Sequence, residues 1–323
     1  MDILDIAPRW RNIHDLSPAR RVVGGGTQLL RDVCLMAFLL LFKRPAIVHV
    51  TTPGGMAVLR DLAMIILARL LLVPVVYHVR FGKVPALLTG PRSVIGCVIK
   101  CVFRLVHQTI LIDAATYDAV RAAGFESAVL IPNCYDDKKM IAGSYARKKQ
   151  VVFIGWVIPT KGVQELVDAW VALGASDWTL KFVGPAEPEY ESELGKRTST
   201  DGAAIEFVGA LPHKEVVNVL ASSEILILPS YTEGFPNVVL EGMAMGCAVI
   251  GTSVGAIPEM LADGAGEVIP PRNVQAIVAA LHRLIDNPEA RRSMGDFAQR
   301  RAKERYSLES VFGCYMKLWK SLA

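Results

Sequence analysis

Residues 225–241 read Ile225-Leu-Ile-Leu-Pro-Ser230-Tyr-Thr-Glu233-Gly-Phe-Pro236-Asn-Val-Val-Leu-Glu241. A short apolar run, a polar loop with glycine and proline, and an amphipathic stretch follow in order, as in a buried strand feeding a helix. In an open α/β sheet, ligands sit beyond the carboxyl ends of the strands, where such loops turn into helices. Gly234 lets backbone approach a ligand closely, and Pro236 sets the turn. Asn237 is a good cap residue for a helix starting there. The N–H groups and positive end of that helix favour an anion such as a diphosphate. Glu241 falls about one turn into the helix, where its carboxylate can accept two hydroxyl protons of a sugar diol. Glu233 lies on the loop itself. Either carboxylate alone could be a helix cap; two flanking Gly-Phe-Pro at this spacing argue for a ligand.

Working outward, the same strand-loop-helix grammar repeats. Gln150-Val-Val-Phe-Ile-Gly155 meets a glycine turn, and Trp156-Val-Ile-Pro-Thr-Lys161-Gly162 leads into a helix expected over Lys161–Leu173. A lysine there supplies a point charge for a diphosphate, whereas a merely solvated lysine in a first helical turn opposes the dipole. Further strands are expected at Leu180–Val183, Ile205–Val208, Ile225–Leu228, Ala248–Gly251 and Glu267–Ile269. Helices are expected at Lys214–Ala221, Asn237–Met245 and Val274–Ile285, with two more between Pro288 and Leu322. In the first half, strands are expected at Ala46–Val50, Pro74–Val79, Thr109–Ile112 and Ala128–Asn133. Helices fall near Met56–Leu72, residues 93–106 and Tyr117–Ala123, with a loop over 83–91. Such alternation predicts an α/β fold built on parallel sheets.

The 323 residues suit two domains, and with 52% hydrophobic residues they can bury two sheets. We expect a first domain over 1–136, a polar linker over 137–149, a second domain over 150–300, and a helical tail over 301–323 that packs back on the first. Mean hydropathy is +0.36, yet no window offers the ~18 uncharged apolar residues of a membrane span. Met1-Asp-Ile-Leu-Asp5 is acidic where a signal peptide is basic, which predicts a cytoplasmic protein. Charge is split: residues 1–150 hold 20 Lys and Arg against 10 Asp and Glu, the remainder 15 against 21. A basic first half suggests an anionic partner. No basic-aromatic interleaving or zinc spacing supports nucleic acid, so the reading favours an anionic lipid surface and a peripheral position on the inner membrane face. The helix near 93–106 is the candidate, with Val94, Ile95, Val98, Val102 and Leu105 apolar and Arg92, Lys100, Arg104 and His107 cationic. The six cysteines contain no Cys-x-x-Cys and are read as buried free thiols; no metal ligand is expected.

Residues 227–259 read I-L-P-S-x-x-E-G-F-P-x-x-x-L-E-x-M-A-x-G-x-x-V-I-x-T-x-x-G-x-x-P-E, a pattern that resembles family 4 of the retaining glycosyltransferases. The resemblance is specific over 150–270 and looser before, where Ile131-Pro132-Asn133 carries it. It implies the GT-B fold of two facing Rossmann-like domains. It further implies transfer of a hexose, with retention, from a nucleotide diphosphate sugar to a glycan or lipid-linked acceptor in surface or exopolysaccharide synthesis, without a metal or other cofactor. A UDP-linked donor is expected ahead of a GDP-linked one. By resemblance Glu241 holds the ribose and Glu233 contacts the donor sugar. Gly234 and Phe235 backbone, with Pro236, Asn237, Gly155 and Lys161, serve the diphosphate. Val208 and Gly209 flank the base, and Glu259 lies behind a phosphate loop at Thr252–Pro258.

Three departures accompany the resemblance. Trp156 stands where the family has an arginine. Arg80 takes the place of a histidine at the end of Pro74–Val79, with His78 two residues earlier on the same face. Met1–Ile6 resembles the second strand of the family pattern, so the first strand, glycine loop and helix are expected to be missing. Gly24-Gly25-Gly26 lacks the G-x-G-x-x-G context and reads as a flexible turn. The alternative is therefore a donor-binding but inactive or partner-dependent relative; a GT-B epimerase, which needs no basic first half, fits less well.

Overall fold

The computed structural model describes residues 18–90, 93–141, 146–175, 177–198 and 204–323. The chain forms two compact units. Among the described residues, one comprises residues 18–111 with Tyr117–Val129 and Lys317–Ala323, the other Ile112–Thr116 with Leu130–Met316.

The first unit runs α1 (Pro18–Lys43), β1 (Val48–Thr52), α2 (Ala57–Leu70), β2 (Val75–Val79), α3 (Val84–Thr89), α4 (Val94–Leu105), β3 (Gln108–Leu111), α5 (Ala114–Ala122, its first three residues belonging with the other unit) and β4 (Ala128–Leu130). The four strands lie in chain order, β1-β2-β3-β4. β1 pairs parallel with β2 from Val48 opposite Val75, and β2 with β3 from Val76 opposite Gln108. Every residue of β2 is buried, as expected of a parallel strand covered by helices on both faces. Ile65 and Ala68 of α2, Ile99, Val102 and Phe103 of α4 and Met36 and Leu40 of α1 build the core with Val75, Tyr77 and Val79.

Several expectations are corrected here. Gly24–Gly26 is not a turn but part of α1; each glycine costs a helix only ~1 kcal/mol, which the packed residues after it offset. Residues 84–89, expected as loop, form α3, which starts with a proline in its first turn. The apolar residues of α4 point mainly inward: Val102 is buried and Val98 and Leu105 pack on the core, leaving Val94 outward at 74% exposure. The expected membrane face of α4 is thus chiefly a core face. Arg92 and the strand expected at Met1–Ile6 lie outside the described residues. Of the six free cysteines only Cys247 is buried; Cys34, Cys97, Cys101 and Cys314 are exposed on outward helix positions.

The second unit runs β5 (Lys148–Ile154), α6 (Val163–Leu173), β6 (Thr179–Val183), α7 (Pro188–Thr198), β7 (Ala204–Gly209), α8 (His213–Ser222), β8 (Ser223–Leu228), α9 (Asn237–Ala244), β9 (Ala248–Thr252), α10 (Ile257–Met260), β10 (Glu267–Ile269), α11 (Val274–Asp286), α12 (Pro288–Tyr306) and α13 (Leu308–Leu322), whose last residues belong with the first unit. Its sheet order is β10-β9-β8-β5-β6-β7, all parallel. The chain lays β6 and β7 to one side of β5 and then crosses to the other side for β8, β9 and β10. This is the strand order of a dinucleotide-binding sheet, and the reversal between β5 and β8 opens a crevice at their carboxyl ends. β8 and β9 are almost wholly buried apolar runs, and Tyr135 and Met140, before β5, join the same core.

Candidate functional site

The two loops singled out in the sequence leave β5 and β8, the strands on either side of the reversal. The β5 loop ends in a tight turn, Pro159–Lys161, and the helix begins two residues after Lys161 rather than on it. The turn needs Gly162. Its φ is +69°, and a β-carbon there would lie 2.1 Å from the Pro229 carbonyl oxygen. The close approach joins the loops: the Tyr231 N–H donates to the Thr160 carbonyl at 2.9 Å. The Lys161 ammonium then reaches Glu233 Oε1 at 2.6 Å. Both side chains are largely shielded, at 25% and 11% exposure, so their attraction is stronger than that of a surface pair.

The Glu233 loop is also held from the β9 side. The Ala256 N–H donates to the Gly234 carbonyl at 2.8 Å, and Thr252 Oγ1 donates to the Ser230 carbonyl at 2.6 Å. Gly255, at φ +55°, lies so close that a β-carbon would meet the Gly234 oxygen at 2.4 Å. The Phe235 side chain is buried edge-on against Tyr306, 5.7 Å between ring centres.

At the start of α9 the structure corrects one expectation. The cap position falls on Pro236, and no side chain caps the helix. Asn237 instead accepts a hydrogen bond at 3.0 Å from Asn133 Nδ2, which also reaches the Phe235 carbonyl at 3.4 Å. Anions at such a helix end are stabilised by its N–H groups and dipole. One turn on, Glu241 Oε1 lies 3.2 Å from His213 Nε2. These two residues, with Tyr135, Lys139, Asn237 and Leu240, line a cavity of about 200 Å³.

The remaining residues fall into place around this centre or away from it. The Gly155 N–H donates to the Val183 carbonyl at the carboxyl end of β6, and Trp156 beside it is half exposed. Val208 and Gly209 close β7 at the sheet edge, Val208 at 40% exposure and the Gly209 carbonyl accepting from the Gly184 N–H. Glu259 accepts from the Ala114 N–H at 3.3 Å. Sequence reasoning missed Asn133 as a site residue, and also His213, Tyr231 and Arg272. Tyr231 donates to Glu165, and the Arg272 guanidinium lies 4.5 Å over its ring. Burial, then the hydrogen bond to Glu165, pushes the Tyr231 hydroxyl up to about 12, so it stays a donor at neutral pH.

In the first unit, Arg80 stands exposed just past β2, its N–H donating to the Thr52 carbonyl. His78 is buried beneath it, its ring 5.5 Å from that of His49. His49 Nδ1 faces Trp319 Nε1 at 3.2 Å. Burial lowers His78 to about 3, with His49 and Arg80 adding to the effect, and burial lowers His49 to about 4. Both imidazoles are neutral at pH 7.

Comparison with known proteins places this geometry. Residues 135–301 match the family model "Glycosyl transferases group 1", just over half of the chain. The protein therefore belongs to the group 1 glycosyl transferases. Among curated relatives, the chain is 33% identical over 157 residues to the MMP alpha-(1->4)-mannosyltransferase of Mycolicibacterium hassiacum, covering 48% of this chain and 38% of that protein. It is 30% identical over 166 residues to the alpha-D-kanosaminyltransferase of Streptomyces kanamyceticus, covering 50% and 42%. The chain thus spans less than half the length of either relative. Among solved structures, Anabaena HepE in complex with UDP superposes with a TM-score of 0.76 at 18% identity, over 94% of this chain and 84% of that one. A sucrose-phosphate synthase from Thermosynechococcus elongatus gives 0.76 at 17% identity over 97% and 82%. These likenesses establish the GT-B fold of two Rossmann-like domains with parallel sheets.

Proposed function

We propose that this chain transfers a hexose from a nucleotide diphosphate sugar to a glycan or lipid-linked acceptor, with retention of configuration, in surface or exopolysaccharide synthesis. The second domain holds the donor and the first receives the acceptor, at the cytoplasmic face of a membrane. The observation that carries the reading is the Lys161–Glu233 pair at 2.6 Å, set at the reversal of a dinucleotide-type sheet. An entering diphosphate competes with Glu233 for the Lys161 ammonium. Glu233, released, turns to the hydroxyls of the donor sugar, while Glu241 takes the ribose diol.

In the transfer step the acceptor hydroxyl oxygen bonds to the anomeric carbon as the bond from that carbon to the diphosphate oxygen breaks. The hydroxyl proton passes to the leaving diphosphate. The charge building on that diphosphate is met by Lys161, the Gly234 and Phe235 backbone and the amino end of α9 rather than by a metal ion. Preorganised charge of this kind supplies most of the rate. Gly155 shapes the β5 loop beside the diphosphate, and Val208 and Gly209 flank the base. Arg80 brings a fixed positive charge toward the acceptor, and His78 lies behind it. The UDP complex of the structural neighbour HepE supports a nucleotide-sugar donor, and a UDP-linked donor is proposed ahead of a GDP-linked one.

A second reading, donor binding without transfer by this chain alone, is favoured by Trp156: half exposed, it stands where the family pattern has an arginine. Thermal-shift screening against UDP- and GDP-sugars, followed by donor hydrolysis assays, decides between them. Stabilisation with turnover supports transfer, stabilisation without turnover the second reading. Absence of stabilisation by every nucleotide sugar refutes both.

A further inference from the structure

We propose that the amino edge of the first domain's sheet, where α1 and α2 end, docks on an anionic lipid surface. The proposal does not depend on the transfer reading. It begins with connectivity. α1 ends at Lys43 and leads within a few residues to Val48, the start of β1; α2 ends at Leu70 and leads as quickly to Val75, the start of β2. Because Val48 and Val75 are register partners in a parallel pair, the two helix ends meet at one edge of the sheet. The Val75 N–H is also held by the His107 ring at 3.0 Å, which brings the end of α4 to the same edge.

That edge is apolar and outward. Phe42 is 72% exposed, Leu70 75% and Leu72 89%, with Leu41 and Leu71 exposed beside them. Scattered surface leucines need no explanation, whereas a cluster on one edge does. Arg44 and Leu72 both adopt positive φ, 44° and 59°. At Leu72 this is the left-handed end of a helix: the Leu72 N–H donates to the Arg69 carbonyl and the Val73 N–H to the Ala68 carbonyl, both at 3.0 Å, and the chain turns toward β2.

Charge selects the partner. Lys43, Arg44, Arg69 and Arg104 are exposed at this edge. Across residues 27–72 the only carboxylates, Asp32 and Asp61, are buried. Farther along the strand order, Asp118 and Glu126 are exposed carboxylates; Glu126 follows Phe125, over whose ring the Arg104 guanidinium lies at 5.8 Å. Cations at helix carboxyl ends are favoured by the dipole alone, but that does not account for the leucines between them. Apolar tips ringed by cations suit insertion at the boundary between headgroups and acyl chains of an anionic leaflet. No described helix is long and apolar enough to cross a membrane, so the contact is interfacial.

The test is flotation of the full chain, without donor, on phosphatidylcholine vesicles and on vesicles containing about one third phosphatidylserine. The wild type is expected to float with the anionic vesicles and hardly with the neutral ones. Phe42→Ser with Leu72→Ser, and separately Lys43→Glu with Arg44→Glu, should each weaken binding at least about tenfold. Val94→Ser, at the opposite end of α4, should leave it unchanged. Circular-dichroism melting confirms the fold of each variant, and the charge pair, being exposed, carries the test if the apolar pair does not fold. Equal flotation of wild type and the charge variant, or equal binding to neutral vesicles, overturns the proposal. So does a solution dimer that the substitutions dissociate, which would assign the edge to a second copy of this chain.

Discussion

At the residue scale the proposed donor grip reduces to the Lys161–Glu233 ion pair and the His213–Glu241 contact, with different expected roles. On the proposed reading Lys161 faces the charge that grows in the transition state, so Lys161→Ala should lower turnover by ~10²–10³ with little change in donor affinity. On the same reading Glu241 holds the donor equally in ground and transition states, so Glu241→Ala should raise the donor Kd by roughly 10-fold and leave turnover nearly intact. Donor hydrolysis under saturating and limiting donor separates the two; the same kinetic signature in both variants would contradict the assignment. The buried histidines make a third residue-scale prediction. His49 and His78 have folded values of about 4 and about 3, below the ordinary 6.5. Between those values and 6.5 the unfolded chain binds protons that the folded chain does not, so stability rises with pH and is lost as pH falls below 6.5. Each histidine contributes a slope of at most ~1.4 kcal/mol per pH unit. Denaturant unfolding between pH 5 and 6.5 should show that slope, and His78→Asn should flatten it. His107, lowered by burial and by Arg69, acts in the same direction and remains in the variant.

At the element scale the grip depends on turns. The β5 and β8 loops approach each other only because Gly162 takes a left-handed conformation against the Pro229 carbonyl. Gly162→Ala should cost at least ~2 kcal/mol, from the strained φ and the contact together. It should also part Lys161 from Glu233, so that turnover falls with melting temperature. An alanine at Gly174, which has nothing within 4 Å of its β-carbon site though φ is +64°, should cost only the conformational part and spare the donor. A variant at Gly162 as stable as wild type would mean that the turn can relax.

At the scale of the whole molecule the two units offer separate handles. His49 and His78 belong to the first unit and the Lys161–Glu233 pair to the second. Scanning calorimetry at pH 7 with a saturating nucleotide sugar should raise the transition of the second unit by ~2.7 kcal/mol at a hundredfold excess over Kd. Lowering the pH to 5.5 should chiefly lower the transition of the first. Donor that moves both transitions together would show the two units to unfold as one.

The sequence by itself determined the α/β class and the strand, loop and helix of residues 225–241. Period-two and period-3.6 patterns are local properties, and buried parallel strands read as apolar runs such as Ile225–Leu228 and Ala248–Thr252. It also foresaw the two helices of the tail. What it misread was local and context-dependent. Three glycines pass for a turn until α1 continues through them, and the apolar stripe of α4 passes for a membrane face until the sheet covers it. Only the tertiary structure decided that Lys161 meets Glu233 across 72 residues, that His213 meets Glu241 across 28, and that Asn133 holds Asn237 across 104. It alone brought Phe42 and Leu72 to one edge. Such partners are chosen by strand order and by the close approach that glycine permits, and neither quantity is written in the spacing of residues along the chain.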